Sequence, residues 1–240
     1  MIRQAAAIAA ALAAASASAQ PPQIWADAAS EVRERGIGMS GGRAGIETGI
    51  GTGREGPTVD AALLTTRGAP RHGGADLRAT LSGGYTVARG GSRLRGDVTW
   101  RGFAGGSGPL DYWEAGALAD TLIGPLTIAA SLRHAPSQRA IGGNLTYARI
   151  GADGGLPGSP WSLAVHLGRS SGTTRDPLCA ARLRPEESYL DWAIGVRRVV
   201  GPALLSLTYS DTDIGRGNGP QTGTRAQVGA ALVARIGLSF

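Results

Sequence analysis

Period-two alternation of apolar and polar residues recurs along this chain in runs of about ten residues, most of them closed by a break containing glycine or proline. Such a period places successive side chains on opposite faces of a strand, whereas a helix would scatter them around a 3.6-residue circle. In the last sixteen residues, RAQVGAALVARIGLSF, one face carries Val228, Ala230, Leu232, Ala234, Ile236, Leu238 and Phe240. The other carries Arg225, Gln227, Gly229, Ala231, Val233, Arg235, Gly237 and Ser239. A strand this long and apolar is an aggregation hazard in water unless it is paired on both sides.

The same contrast returns upstream. In 75–87, Leu77, Ala79, Leu81, Tyr85 and Val87 oppose Arg78, Thr80, Ser82 and Thr86. In 93–103, Leu94, Val98 and Trp100 oppose Arg93, Arg95, Asp97, Thr99 and Arg101. Segments 125–133, 159–168, 189–197 and 202–212 repeat the pattern, and weaker runs lie at 28–37, 43–51, 57–66, 110–121 and 140–151. The total is twelve, an even number, as a single-chain bacterial barrel with both ends in the periplasm requires. Short periplasmic turns are predicted at 88–92, 122–124 and 199–202, with a longer one at 152–159. Outer loops are predicted at 68–75, 134–139, 170–188 and 213–224. Trp100, Trp113, Tyr147, Trp161, Trp192, Tyr209 and Phe240 fall toward strand ends, where aromatic girdles sit.

The first twenty residues, MIRQAAAIAAALAAASASAQ, join one positive charge to an apolar run and a small-x-small site at Ala17-Ser18-Ala19. That is the pattern of a cleaved secretory signal, too short to span a bilayer. Cleavage is predicted after Ala19, leaving a short lead (20–27) and a barrel domain (28–240). A single cysteine, Cys179, allows no internal disulfide, and no later run reaches the length of a membrane helix. Export without staple or apolar helix leaves a soluble periplasmic domain or an outer-membrane barrel, and the twelvefold pattern with its loop asymmetry selects the barrel. Thirty-nine glycines against thirteen prolines fit tight turns and closely spaced strands. The net charge of +6 comes from arginines spread singly along the strands, with no basic run or aromatic platform for nucleic acid. All 24 basic residues are arginine, which a G+C-rich genome explains more simply than function does.

The mature chain resembles the TorF family of porins, small outer-membrane barrels of proteobacteria, over nearly its whole length. Arg33, Arg35, Gly36 and Ile37 in SEVRERGIGMSGGRAGIETGI look like that family's first hairpin. Asp111, Tyr112 and Glu114 in LDYWEAGALAD look like its acidic-aromatic strand. The closest stretch is YLDWAIGVRRVVGPALLSLTYSDTDIG, through Asp191-Trp192, Gly195-Val196 and Leu205 to Asp213. Glu34 departs from the pattern, standing where the family usually has an apolar or aromatic residue. The resemblance implies an outer-membrane β-barrel among lipid and lipopolysaccharide. It also implies that Phe240 serves as the signal read by the barrel assembly machinery.

The stripe assigned to the lumen holds Arg33, Arg35, Arg78, Arg93, Arg95, Arg101, Arg133, Arg197, Arg225 and Arg235, against Glu47, Asp60, Asp97, Glu114 and Asp191. A basic wall favours small anions by electrostatic focusing. The same charges can instead pair and fill the bore. Eight strands enclose a packed interior and sixteen an aqueous channel, so twelve leaves both outcomes open. Arg93, Arg95 and Asp97 stand about 6.5 Å apart in sequence order, from a rise of about 3.3 Å per residue, and Glu114 and Asp111 are their expected partners. His134 and Ser137 share no strand face and flank Pro136, so a hydrolytic site is not expected there. His166 is read as a hydrogen-bonded wall residue, and three scattered histidines with one cysteine form no metal motif. GGRAGIETGIGTG lacks the lysine and the strand–loop–helix setting of a phosphate loop. The loop around Cys179 either folds inward as a constriction or stays exposed to a partner.

These readings lead to a transmembrane, antiparallel, up-and-down β-barrel of about twelve strands in the outer membrane. It is expected to pass small polar or anionic solutes passively, without cofactor, metal or catalytic step. The alternative is a closed structural or adhesive barrel whose outer loops bind a partner.

Overall fold

In a computed structural model, which describes residues 22–52, 55–215 and 227–240, the chain forms a closed antiparallel barrel of twelve strands. The wall strands are β1 (Gln23–Ala29), β4 (Gly45–Thr52), β5 (Gly56–Thr65), β6 (Leu77–Arg89), β7 (Ser92–Ala104) and β8 (Tyr112–Ile123). They continue with β9 (Leu126–Gln138), β10 (Gly143–Gly155), β11 (Trp161–Ser171), β12 (Ser188–Val200), β13 (Ala203–Thr212) and β14 (Ala231–Ser239). Each pairs with its neighbours in the wall, and β14 returns to β1. Two short strands, β2 (Arg33–Glu34) and β3 (Ile37–Gly38), form a separate hairpin between β1 and β4. At the seam the backbones of Ile24 and Phe240 exchange both hydrogen bonds, at 2.9 and 3.3 Å, so the final residue completes the ring. No helix among the described residues is long and apolar enough to cross a membrane.

The packing is inverted relative to a soluble protein. Leu94, Leu132, Ile194, Leu205 and Ile236 stand exposed on the outer surface, and Leu232 keeps 63% of its area open. Charged side chains are buried instead: Glu114 is 1% exposed and Asp191 fully enclosed. A continuous apolar belt around a polar lumen is what lipid outside and charge inside select.

Short connections sit at the end that carries both termini, including Gly90-Gly91, Gly124-Pro125 and Gly201-Pro202. The opposite rim carries the longer ones, 30–44, 66–76, 105–111, 139–142 and 172–187. Two expected elements differ. The first wall strand is 23–29, not 28–37, so the barrel begins inside the expected lead and residues 30–44 leave the wall altogether. Trp25 faces inward on that strand and lies over Gly49 and Gly51, where a Cβ would collide with its ring or with Asp60. The second difference is 134–139, which is strand as far as Gln138. Pro136 sits at a register shift of the β9–β10 ladder, where no partner requires its missing N–H.

Candidate functional site in the lumen

The connection from β1 to β4 turns inward and crosses the bore. Its tip, Arg35-Gly36, has positive φ at both positions (53° and 74°), the pattern of a type I′ two-residue turn. Glycine is required at the second position, because a Cβ there would run into Asp191 and Thr212. At the base, Val32 N donates to Ser40 Oγ at 3.0 Å and Met39 N to Val32 O at 2.7 Å.

Charges fix the hairpin to the wall. The two oxygens of Glu34 are divided between Arg78 and Arg101. Arg35 Nη2 donates to Glu114 at 2.5 Å, Arg101 Nη2 donates to the other Glu114 oxygen at 3.0 Å, and Arg133 lies 3.6 Å away. The ladder continues through Arg133–Asp97 (3.1 Å) and Arg95–Asp97 (3.7 Å) to Arg95–Asp60 (2.5 Å). Across the bore, Tyr189 donates to the Arg35 carbonyl at 3.0 Å, and Arg33 Nη2 donates to the carbonyl of Gly229 at 2.6 Å. Asp191 accepts from Tyr147 at 3.1 Å and lies 3.1 Å from His166 Nε2. Burying charges this deeply is sustainable only because each meets an opposite charge or a hydrogen bond.

Above the hairpin the rim loops interlock into a cap. Ser107 N donates to Gly73 O (2.9 Å), Arg175 N to Gly142 O (2.7 Å), Arg182 to Leu110 O (2.7 Å) and Arg71 to Arg182 O (3.1 Å). Tyr112, Ala135, Ala140, Ile141 and Leu145 form its apolar core, with Phe103 and Leu183 against it. His72 stacks on Phe103 with ring centres 5.1 Å apart. Burial, reinforced by the positive Arg182, Arg71 and Arg78, pushes His72 down to about 3 and keeps it neutral. Burial also pushes Arg71 down to about 10. The 172–187 loop therefore folds over the mouth, with a short helix (Pro177–Ala181) capped by Asp176 and with Cys179 partly exposed.

Below the hairpin, toward the termini, lies a cavity of about 700 Å³. Seven arginines (Arg33, Arg35, Arg101, Arg133, Arg149, Arg197 and Arg235) face it against four carboxylates (Asp27, Glu31, Glu34 and Glu47). Ser206, Thr208 and Ser210 supply hydroxyls from β13. Arg149 has no ion-pair partner among the described residues, while Arg197 is held by Asp153 at 2.7 Å and Arg235 by Asp27.

The residues expected to line the pore sort into three groups. Arg78, Arg93, Arg95, Asp97, Arg101, Glu114, Arg133, Asp191, Arg197 and Arg235 project inward from wall strands, and their side chains make the pairs described above or, for Arg93, a pair with Asp120 at 2.9 Å. Arg33 and Arg35 belong to the hairpin and not to the wall. Arg225 lies outside the described residues. The expected partners also change: Arg93 pairs with Asp120 and Arg95 with Asp60, while Asp111 accepts from the backbone of Phe103 and Glu114 serves Arg35 and Arg101. Glu34 and Arg149 were not among the expected site residues. Arg149 shares parity with Tyr147 and opposes Ile150, a contrast that already marks it as inward-facing.

The barrel superposes on the KdgM porin with a TM-score of 0.57 at 7% identity, covering 91% of this chain and 98% of that one. It matches the COG4313 outer membrane channel from Pseudomonas putida F1 with the same score at 13% identity, covering 92% and 97%. These likenesses establish a porin-like barrel fold. No curated protein matches the chain in sequence. The family model of Gcw_chp, a bacterial protein of unknown function, matches residues 26–240, and the chain belongs to that family.

Proposed function

We propose that this protein is a narrow porin of the outer membrane of Gram-negative bacteria that passes small polar solutes with a preference for anions, and that it carries out no chemical step. One observation carries the reading: a porin-like barrel encloses a cavity of about 700 Å³ whose charged lining is seven arginines to four carboxylates. Glu114, Asp97 and Asp153 in the wall behind offset part of that surplus, and Arg149, without an ion-pair partner among the described residues, supplies the positive potential that raises local anion concentration. The hairpin of residues 30–44 sets the narrowest passage. The resemblance of Arg33-x-Arg35-Gly36-Ile37 and the 189–213 stretch to TorF porins supports the same reading. Lipid and lipopolysaccharide surround the apolar belt, and Phe240 at the seam presents the assembly signal.

The buried cap and hairpin favour one further reading, a closed structural or adhesive barrel whose rim loops meet a partner. Planar-bilayer recording separates the two. Defined conductance steps and an anion-signed reversal potential under a salt gradient are expected. A silent membrane holding correctly folded barrel would refute transport.

A further inference from the structure

We infer that Arg78 and Arg101 form a carboxylate-binding clamp on the lumen wall, occupied here by the chain's own Glu34, and that carboxylate-bearing solutes exchange with Glu34. The exchange rests on the transport reading above, whereas the clamp itself does not.

The clamp belongs to the wall and its occupant does not. Arg78 lies on β6 and Arg101 on β7, and the register sets Thr80 opposite Arg101 and Arg78 opposite Phe103. Adjacent strands stand about 4.8 Å apart, so two guanidinium forks on neighbouring strands can converge on one planar anion. Each takes one oxygen of Glu34. The carboxylate is thus bridged by two charge-assisted hydrogen bonds, one Nη1 from each arginine, a class of bond about twice as strong as a neutral one.

The wall does not neutralise the pair by itself. Among the described residues, apart from Glu34, Arg78 has only Glu47 as an ion-pair partner, at 3.7 Å, and Arg101 shares Glu114 with Arg35 and Arg133. The Nε donors of both Arg78 and Arg101 are buried without a hydrogen-bond partner among the described residues. Each guanidinium thus keeps a donor that Glu34 does not use.

The clamp is also within reach. Glu34 and Arg101 both line the large cavity, and the Glu34 side chain retains 24% of its area exposed. Glu34 sits on the hairpin, whose own ladder is two residue pairs long. A carboxylate arriving from the cavity therefore meets an anion site held by a tethered competitor. Tethering on a short loop corresponds to an effective concentration in the mM range, so a free carboxylate competes weakly until the tether's charge is removed.

The test uses the mature barrel folded in detergent, with succinate as the probe and isothermal titration as the readout. Folding of each variant is checked by heat-modifiable migration. Glu34→Gln keeps the shape of the occupant and removes its charge. Succinate is expected to bind this variant at least about tenfold more tightly than wild type, the factor for a clamp vacant less than a tenth of the time. Adding Arg78→Gln, which removes one of the two guanidinium groups, is expected to abolish the gain. Equal succinate affinity in wild type and Glu34→Gln overturns the clamp even if the barrel conducts. So does an undiminished gain in the double variant. The predicted binding series in a barrel that never conducts supports the clamp and refutes transport alone.

Discussion

Glu114 is the point at which the lumen network is most vulnerable. Its carboxylate is 1% exposed, accepts from Arg35 at 2.5 Å and Arg101 at 3.0 Å, and has Arg133 at 3.6 Å. Glu114→Gln removes the carboxylate that these three guanidinium groups share. Unit charges about 4 Å apart interact by about 4 kcal/mol at an effective dielectric of about 20. Breaking one side of a buried pair costs about 3–5 kcal/mol, of which the amide oxygen recovers about 1 kcal/mol as a neutral acceptor. The expected loss is therefore about 2–4 kcal/mol. Release of the hairpin cannot absorb it all, because Arg101 and Arg133 stay on the wall. The internal control is Asp153→Asn, whose partner Arg197 is 32% exposed and which is itself 46% exposed. Exposed pairs of that kind contribute about 0–1 kcal/mol. Urea unfolding in lipid vesicles, followed by tryptophan fluorescence, reads both variants against wild type. A loss for Glu114→Gln within about 0.5 kcal/mol of the control, small against the 3–5 kcal/mol of a broken buried pair, would refute the claim that these charges are held in a desolvated interior.

Four further outcomes are expected. Leu132→Arg, on the exposed apolar face at the middle of β9, should cost about 2–4 kcal/mol in vesicle refolding, whereas Ser131→Arg on the lumen side should cost far less. Gly36→Ala should cost about 1–2 kcal/mol for the left-handed backbone alone and more for the collision with Asp191 and Thr212, read as faster hydrogen exchange at residues 33–38. Arg149→Ala with Arg197→Ala should move the reversal potential toward cations, and an unchanged value removes these side chains from selectivity. His72, held at about 3 against an ordinary value of 6.5, gives the cap an acid dependence. The unfolded chain takes up a proton below about 6.5 while the folded cap refuses it, so stability is full above that pH and falls as pH drops toward 3. His72→Gln should flatten the wild-type slope in that window, and an unaltered slope would count against a buried neutral imidazole.

The barrel was legible because parity along a strand decides which face meets lipid. Leu94 against Arg95, or Leu132 against Arg133, carries that decision in adjacent letters. Parity fails where the wall breaks its own code. On β1 the bulky Trp25 points inward and small alanines point outward, so the contrast that betrays other strands is reversed. Pro136 suggests a loop and instead occupies a bulge. Partner choice was not legible either, since alternation gives a side chain's face without its height. Barrel shear sets height, and it brings Arg95 to Asp60 and leaves Glu114 to Arg35. Glu34 was conspicuous as a departure from the TorF pattern that the sequence resembles, but only the inward fold of its hairpin explains a charge there. It never meets lipid.

The place of that hairpin in chain order ties it to the wall strands. It is spliced between the first two staves of the cylinder, close in sequence to the seam where Ile24 meets Phe240. The hairpin is continuous with the wall at both ends, so filling the bore requires no separate segment. Anchored to the wall at both its ends, the stopper can swing but cannot be lost, so loosening it would widen the bore without shedding a fragment into either compartment.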